Sequence, residues 1–347
     1  MKTSSPKLQK VSVKDVARRS GTSLGTVSRV INGGASVSAD ARARVEQAIL
    51  DLGYEPNAGA RQMRSGRSGL IGILLPSLDV PFFGILAQSL EQALFRNGYH
   101  SLICNTEENE LNEQRYVSTL LGQQVDGVIA AAVVTTQNFD RFADRNIPII
   151  AVDRSPDGEP GHLVSVDHKE GGRLMAKHLL DLGHKDIAVV ATPTHSAPIM
   201  DRIAGIEEAL AEQNCAPVGI ALGETHSFDA SFALARQILN DTKPTAVIGT
   251  SDIAAIGVIH AGHELGYRMP DQLSVIGFDN LPQSAHIFPP LTTVEQPIVL
   301  LGELAAQELL HQINGEKFEK PDLNRLSLQV VVRASTAPPY SVSTEIR

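Results

Sequence analysis

The sequence predicts an α/β protein in two parts: an N-terminal three-helix headpiece of helix-turn-helix type, then a body of two doubly wound parallel-sheet subdomains. Three observations carry this. Within residues 12–53, three short stretches repeat apolar residues at helical spacing, each bracketed by cap or stop residues. From Leu70 onward, short uniformly apolar runs alternate with helical ones, the cadence of buried parallel strands joined by helices. Charge is also split. Residues 1–68 hold 12 Lys+Arg against 5 Asp+Glu, a net +7, whereas residues 69–347 hold 18 against 34, a net −16. The boundaries expected are 1–54 for the headpiece, 55–69 for a hinge or linker, 70–335 for the body and 336–347 for a flexible tail. A length of 347 residues accommodates such a division.

In the headpiece, Ser12 and Asp15 fit a capping box, so a helix starts near Val13 and turns Val13, Val16 and Ala17 to one face. Gly21 ends it. Ser23 caps a second helix with Val27, Val30 and Ile31 inward. A third follows Ser38, with Val45, Ala48, Ile49 and Leu52 on one face and Gly53 as its stop. Three such faces bury one another in a helix-turn-helix domain.

Residues 21–25, Gly-Thr-Ser-Leu-Gly, also spell the G-x-S-x-G of a serine-hydrolase nucleophile elbow. That motif needs a buried strand before the serine, and here a basic helix precedes it. Ser23 therefore reads as a cap. The second helix leaves Leu24, Gly25, Thr26, Ser28, Arg29 and Asn32 outward. A helix of this size fits the major groove of double-stranded DNA, where Arg29 forks onto guanine and Leu24 meets a thymine methyl. Thr26, Ser28 and the helix N-terminus suit phosphates. The alternatives are a core Leu24, a merely solvated Arg29 and a basic tail without a partner.

Residues 54–69, YEPNAGARQMRSGRSG, form the joint. Pro56 can open a helix, Gly66 and Gly69 mark flexibility, and Arg61, Arg64 and Arg67 are cationic. So short a helix is marginal alone and would order against DNA and its twin in a dimer. Gly59, a poor helix residue, keeps a plain linker open.

The stretch VSVKDVARRSGTSLGTVSRVINGGASVSADARARVEQAILDLGYEPNAGARQMRSGR resembles the DNA-binding headpiece of the lactose-repressor (LacI/GalR) family. KDVA, TVSRVIN, LGYEPN and AR stand in order and at the family's spacing. The resemblance puts Leu24, Gly25 and Arg29 on base-reading positions, where Gly25 lacks a reading side chain. It also makes the joint a hinge helix that enters the minor groove, with Met63, in place of the usual Leu, as the apolar wedge, and Arg61 beside it. It implies a repressor rather than an activator, binding a pseudopalindromic operator as a homodimer or higher oligomer.

In the body, the strand-like runs are 70–75, 100–104, 125–132, 147–152, 186–191, 245–250 and 273–278. Between the first two lies a helix with Leu86, Leu90, Ala93 and Leu94 inward and Gly98 closing it. The runs fall into two halves, with chain crossings expected near Asp153–Val166, near Leu291–Val294 and after Pro321. Sheets of this kind bind ligands beyond the carboxyl ends of their strands. The stretch from Ser335, STAPPYSVSTEIR, lacks periodicity and is expected to fray.

The resemblance continues to about residue 335 through PSLDVPFF, VDR, DRIAGIEEAL, IGFDN and PPLTTVEQP, as a periplasmic-binding-protein-like effector domain. It implies that Phe82 and Phe83 stack on an effector, that Arg202 donates a forked pair of hydrogen bonds and that Asp279 accepts two. Ser251 falls on a ligand-facing position, with Asp252 equally readable as a helix cap, and His226 stands where an aromatic is common. Val80 replaces the usual Asn. A guanidinium and a carboxylate beside an aromatic wall suit a polyhydroxylated ring, hence a sugar or sugar derivative. The alternatives are core phenylalanines and a structural Arg202–Asp279 ion pair.

Other chemistry finds little support. Cys104 and Cys215 lack metal-ligand spacing and read as core residues, and His260-x-x-His263-Glu264 does not match a zincin order. Neither G-x-G-x-x-G nor a P-loop is present, so no cofactor and no metal is expected. The opening MKTSSPKLQK lacks the apolar core of a signal peptide, and no run reaches the length of a membrane span. A cytoplasmic regulator rather than an enzyme is the expectation. A solute-binding protein and a sugar-modifying enzyme are the competing classes.

Overall fold

In the computed structural model, residues 11–31, 36–55, 66–131, 136–153, 163–193, 196–316 and 326–340 are described. Asn32, Arg61 and Met63, with most of the joint, lie outside them. The chain divides into two compact units, 1–68 and 69–347.

The first unit holds α1 (Val13–Ser20), α2 (Leu24–Ile31) and α3 (Ala39–Leu52). Asp15 accepts hydrogen bonds from the backbone N–H (3.0 Å) and the hydroxyl (2.6 Å) of Ser12, which hold its carboxyl below the usual range. Gly21 and Gly53, both left-handed, end α1 and α3. Val16, Ala17, Val27, Val30, Val45 and Ala48 are the buried core that the periodicity predicts. Asp51 ties α3 to α1, accepting from Arg19 Nη2 at 2.7 Å.

The second unit contains two sheets. The first has strand order β2-β1-β3-β4-β5, from β1 (Leu70–Leu75), β2 (His100–Asn105), β3 (Gly127–Ala130), β4 (Ile149–Val152) and β5 (Leu163–Val164), all parallel. Its helices are α4 (Pro81–Arg96), α5 (Glu110–Gln123) and α6 (Thr136–Ala143). On α4, Pro81 stands at the start and Leu86, Leu90, Ala93 and Leu94 are buried, as their spacing requires. The second sheet has order β11-β10-β9-β8-β6-β7. These are β6 (Ile187–Ala191), β7 (Gly219–Leu222), β8 (Ala246–Gly249), β9 (Ser274–Asp279), β10 (Thr292–Glu295) and β11 (Gln329–Val331). Only β11 is antiparallel. The helices α7 (His168–Asp181), α8 (Ala197–Glu212), α9 (Phe228–Thr242) and α10 (Asp252–Glu264) accompany this sheet, whereas α11 (Ile298–Ile313) returns to pack on α4 and β4.

All seven sequence-predicted strand runs form strands. Four more, β5, β7, β10 and β11, did not stand out because they are short or not uniformly apolar. They narrow the first crossing and move the second. Since β5 still pairs with β4, the first crossing is at 165–167. The second is at Gln296–Pro297 rather than Leu291–Val294, because Thr292–Glu295 is β10 of the second sheet. The third lies between Ile313 and Gln329. The stretch from Ser335 does not fray at its start. Ser335 is buried and donates to Val275 O at 2.6 Å, and Ala337 exchanges two hydrogen bonds with Ser274. Its hydroxyl-rich composition, which carries no periodic signal, serves hydrogen bonds along the strands instead.

Two helices meet at glycines. A Cβ at Gly172 would sit 2.0 Å from the Arg202 carbonyl oxygen, and one at Gly205 would sit 1.9 Å from that of Lys169. Only this close approach of α7 and α8 brings His168 and Arg202 together.

Candidate functional site

The headpiece offers the outward face of α2. Ser23 accepts from the Thr26 N–H at 3.1 Å, so it is the helix cap expected, and its hydroxyl also meets that of Thr26 at 3.0 Å. Leu24, Gly25 and Arg29 are exposed, and Thr26 and Ser28 half-buried. Leu24 is 46% exposed and stands outside the apolar cluster of the headpiece, so the core reading of this residue does not hold. A Cβ at Gly25 would lie 3.6 Å from Arg29 Nη2, so the missing side chain leaves room that the guanidinium borders.

In the second unit a cleft opens between the two sheets at the carboxyl ends of their strands, lined by Phe82, Phe83, Arg202, His226, Ser251 and Asp279. All six sequence-predicted effector residues are thus brought together. Phe82 and Phe83 form an edge-to-face pair at 5.0 Å and are buried in the core of the first lobe while also walling the cleft. Core and wall are therefore the same residues here.

Arg202 and Asp279 form the floor, both buried. Arg202 Nη1 donates to Thr250 O at 2.6 Å, and Nε and Nη2 reach His168 Nδ1 at 3.3 and 3.1 Å. Its guanidinium lies 3.6 Å from the centre of the Phe278 ring. Asp279 Oδ1 is 4.0 Å from Nη1, a separation too long for a hydrogen bond. The two form an ion pair without a hydrogen bond, so Arg202 and Asp279 hold the fold electrostatically and line the cleft at once. Burial, reinforced by Asp252 and Asp153, drives the Asp279 carboxyl well above the carboxylate range despite Arg202. Burial likewise pulls Arg202 down, against Asp279, Asp153 and Asp252.

The structure adds residues that the sequence did not single out: Thr106, Glu108, Asp153, Thr192 and Ser196 line the same cleft. Asp153 accepts from Gln296 Nε2 at 2.7 Å and Ser165 Oγ at 3.2 Å, so it ties the first two crossings together. His168 Nε2 approaches it at 3.3 Å. Burial opposes ionisation of Asp153, but His168, Gln296 and Arg202 outweigh it and the net direction is down. A signal existed for these residues: Thr106, Asp153, Thr192 and Asp279 all stand at the carboxyl end of an apolar run. His168 had none beyond its place at a helix start.

Ser251, not Asp252, caps α10, accepting from Ala254 N–H at 3.1 Å. Asp252 is fully buried, taking hydrogen bonds from Thr293, Ser284 and Leu281 N–H at 2.5, 2.5 and 2.8 Å. Burial still raises its carboxyl to about 6. It pins the loop after β9 that carries Asp279. Cys104 is buried, which raises its thiol to about 11. His260 packs edge-on against Phe228, and His263 Nε2 lies 3.2 Å from Phe288 O. Among the described residues no cluster of metal-ligand type occurs, and no helix is long and apolar enough to cross a membrane.

Comparison with known proteins places both units. Residues 12–57 match the family model "Bacterial regulatory proteins, lacI family", and residues 176–336 match the "Periplasmic binding protein-like domain". The ribose operon repressor of Halalkalibacterium halodurans is 36% identical over 93% of this chain and 96% of its own. The Lac repressor dimer bound to operator and an anti-inducer superposes with a TM-score of 0.85 at 31% identity, covering 95% of this chain and all of that one. A LacI family regulator from Enterococcus faecium with bound ribose gives 0.69 at 30% identity, covering 78% and 99%. The chain belongs to the LacI family of bacterial transcriptional regulators.

Proposed function

We propose that this regulator is a cytoplasmic, homodimeric repressor that holds a pseudopalindromic operator through α2 of each headpiece, and whose effector is a neutral sugar of ribose type. Leu24, Gly25, Thr26, Ser28 and Arg29 face the groove, and Asn32, Arg61 and Met63 extend the contact along the DNA. The observation that carries the effector reading is the convergence of Arg202, Asp153 and Asp279 beside the Phe82–Phe83 wall in one cleft.

The chemistry follows from that convergence. Sugar hydroxyls both donate and accept, so one ring satisfies a guanidinium and two carboxylates at once while its C–H face packs on phenylalanine. A phosphorylated sugar would bring dianionic charge among Glu108, Asp153 and Asp279, which share the cleft with one guanidinium. The 36% identity to a ribose operon repressor and the likeness to a ribose-bound family member support ribose within this class. Ser251 borders the cleft, with its hydroxyl already engaged as a cap.

Because each lobe supplies part of the site, a bound sugar favours one arrangement of the lobes over another, and only that preference can alter the grip on DNA. The test is calorimetric titration of the purified protein with D-ribose, other free sugars and D-ribose 5-phosphate. Binding of a free sugar with rejection of the phosphate is expected; indifference to every free sugar overturns the effector reading.

A further inference from the structure

Glu108 belongs to the first lobe, in the turn between β2 and α5, and His226 to the second, between β7 and α9. Their side chains are joined directly, imidazole Nδ1 to carboxylate Oε1, across the cleft. The pair sits on the solvent side. Its side chains are 19% and 17% exposed, against 6% and 7% for Arg202 and Asp279 on the floor.

Both ends of the pair are held firmly. Each residue immediately precedes a helix cap: Asn109 accepts from Asn112 N–H at 3.1 Å, and Ser227 from Ala230 N–H at 3.1 Å. Glu107 and Glu108 are both left-handed, with φ of 55° and 54°, and Glu108 N–H donates to Pro76 O at 3.1 Å. The imidazole stands edge-on to Phe83 at 5.7 Å, so the aromatic wall sets its plane. Two capped helix starts thus aim one carboxylate and one imidazole at each other over the site.

We infer that the Glu108–His226 pair is a gate that admits a single sugar ring and excludes ligands extended toward solvent by a second, nonpolar ring. The inference rests on the sugar reading of the cleft given above. A ring that projects between the lobes must part the carboxylate from the imidazole. It would leave both half-buried without each other, and a hydrocarbon or aromatic substituent offers neither a replacement. A lone monosaccharide lies beneath the pair and leaves it intact. The gate therefore acts on the ratio of affinities, through what it forbids rather than what it contacts.

Titrations of the full-length protein with D-ribose, phenyl β-D-ribofuranoside and 5-O-benzylribose test this, since the last two carry a second, nonpolar ring on opposite ends of one sugar. The wild type is expected to bind ribose about 10- to 100-fold more tightly than a ligand whose added ring parts the pair, the scale on which leaving a part-buried polar group unpaired discriminates. Glu108→Ala, His226→Ala and the double variant are expected to narrow that ratio at least about tenfold for the ligand whose added ring points to the gate, with the two changes non-additive. Glu108→Gln, which still accepts from the imidazole, is expected to keep the discrimination. Equal wild-type affinity for ribose and both extended ligands overturns the gate. So does an unchanged ratio in alanine variants that bind ribose and unfold at the wild-type temperature. Failure of the wild type to bind any free sugar is a different result: it overturns the sugar reading itself.

Discussion

On α2 the residues offered outward, Leu24, Gly25 and Arg29, are exposed and placed by the helix, whose own position comes from the Ser23 cap and a small apolar core. In the cleft, Arg202 and Asp279 are buried, and Arg202 is placed by other side chains and carbonyls: His168, Thr250 and the Phe278 ring. The reader is thus ordered by its backbone and the receptor by a polar network. A surface helix meets a polyanion whose charge is everywhere and whose bases lie at the bottom of a groove, so its side chains must reach. On the proposed reading a sugar brings many hydroxyls to one place, and groups that are to meet them are best held in advance. The net +7 of the first 68 residues and −16 of the rest express the same division.

Salt gives the largest expected separation between the two sites. Operator affinity should fall roughly 1,000-fold or more between about 50 and 200 mM salt if about six phosphates are neutralised. Binding of a neutral sugar should hardly change over that range. Fluorescence anisotropy and calorimetry read the two, and a flat operator response would erase the contrast. Next is Arg202→Ala. It strands the carboxylates of Asp153 and Asp279, so the unfolding free energy in urea should drop by about 3–5 kcal/mol and sugar binding should be lost. A variant of near wild-type stability would show that the network does not hold the cleft.

Arg29→Ala should cost about 1–3 kcal/mol on operator, with little change in unfolding, since the side chain is exposed. An equal loss on operator and random DNA would demote Arg29 from a base reader to a phosphate contact. Smaller again is a pH effect on the receptor. Burial raises the Asp279 carboxyl, and sugar hydroxyls that donate to its carboxylate favour the ionised form, so binding releases a proton. Sugar affinity should therefore rise with pH, at most about tenfold per unit, from the ordinary carboxylate range up to the raised value, and level off above it. A fall across that window would reverse the assignment. The smallest effect is Ser23→Ala, expected to cost about 1 kcal/mol of headpiece stability through the lost cap.

How much of this was legible in the sequence also divides along the same line. Headpiece helices, caps and core were readable because helix periodicity and cap chemistry are local, as Ser12, Ser23, Ser38 and Gly53 show. The central strands of the body were readable as unbroken apolar runs. The short strands Leu163–Val164 and Gln329–Val331 were not, because pairing partners distant in the chain define them. Six cleft residues were found through family motifs. Asp153 stands in the VDR motif and at the expected crossing, and a carboxylate at the end of an apolar run is itself a signal for a cleft residue. His168 and Glu108 owe their positions to a glycine-mediated helix crossing and to a turn of two left-handed residues, which no spacing announces.

The most direct test of the whole account is an operator-binding isotherm at fixed salt, recorded with and without saturating effector, D-ribose first. Occupied and empty receptor should differ at least about fivefold in operator affinity, the lower end of ordinary coupling between two sites. Identical isotherms with the cleft demonstrably full would mean that the receptor does not govern the reader.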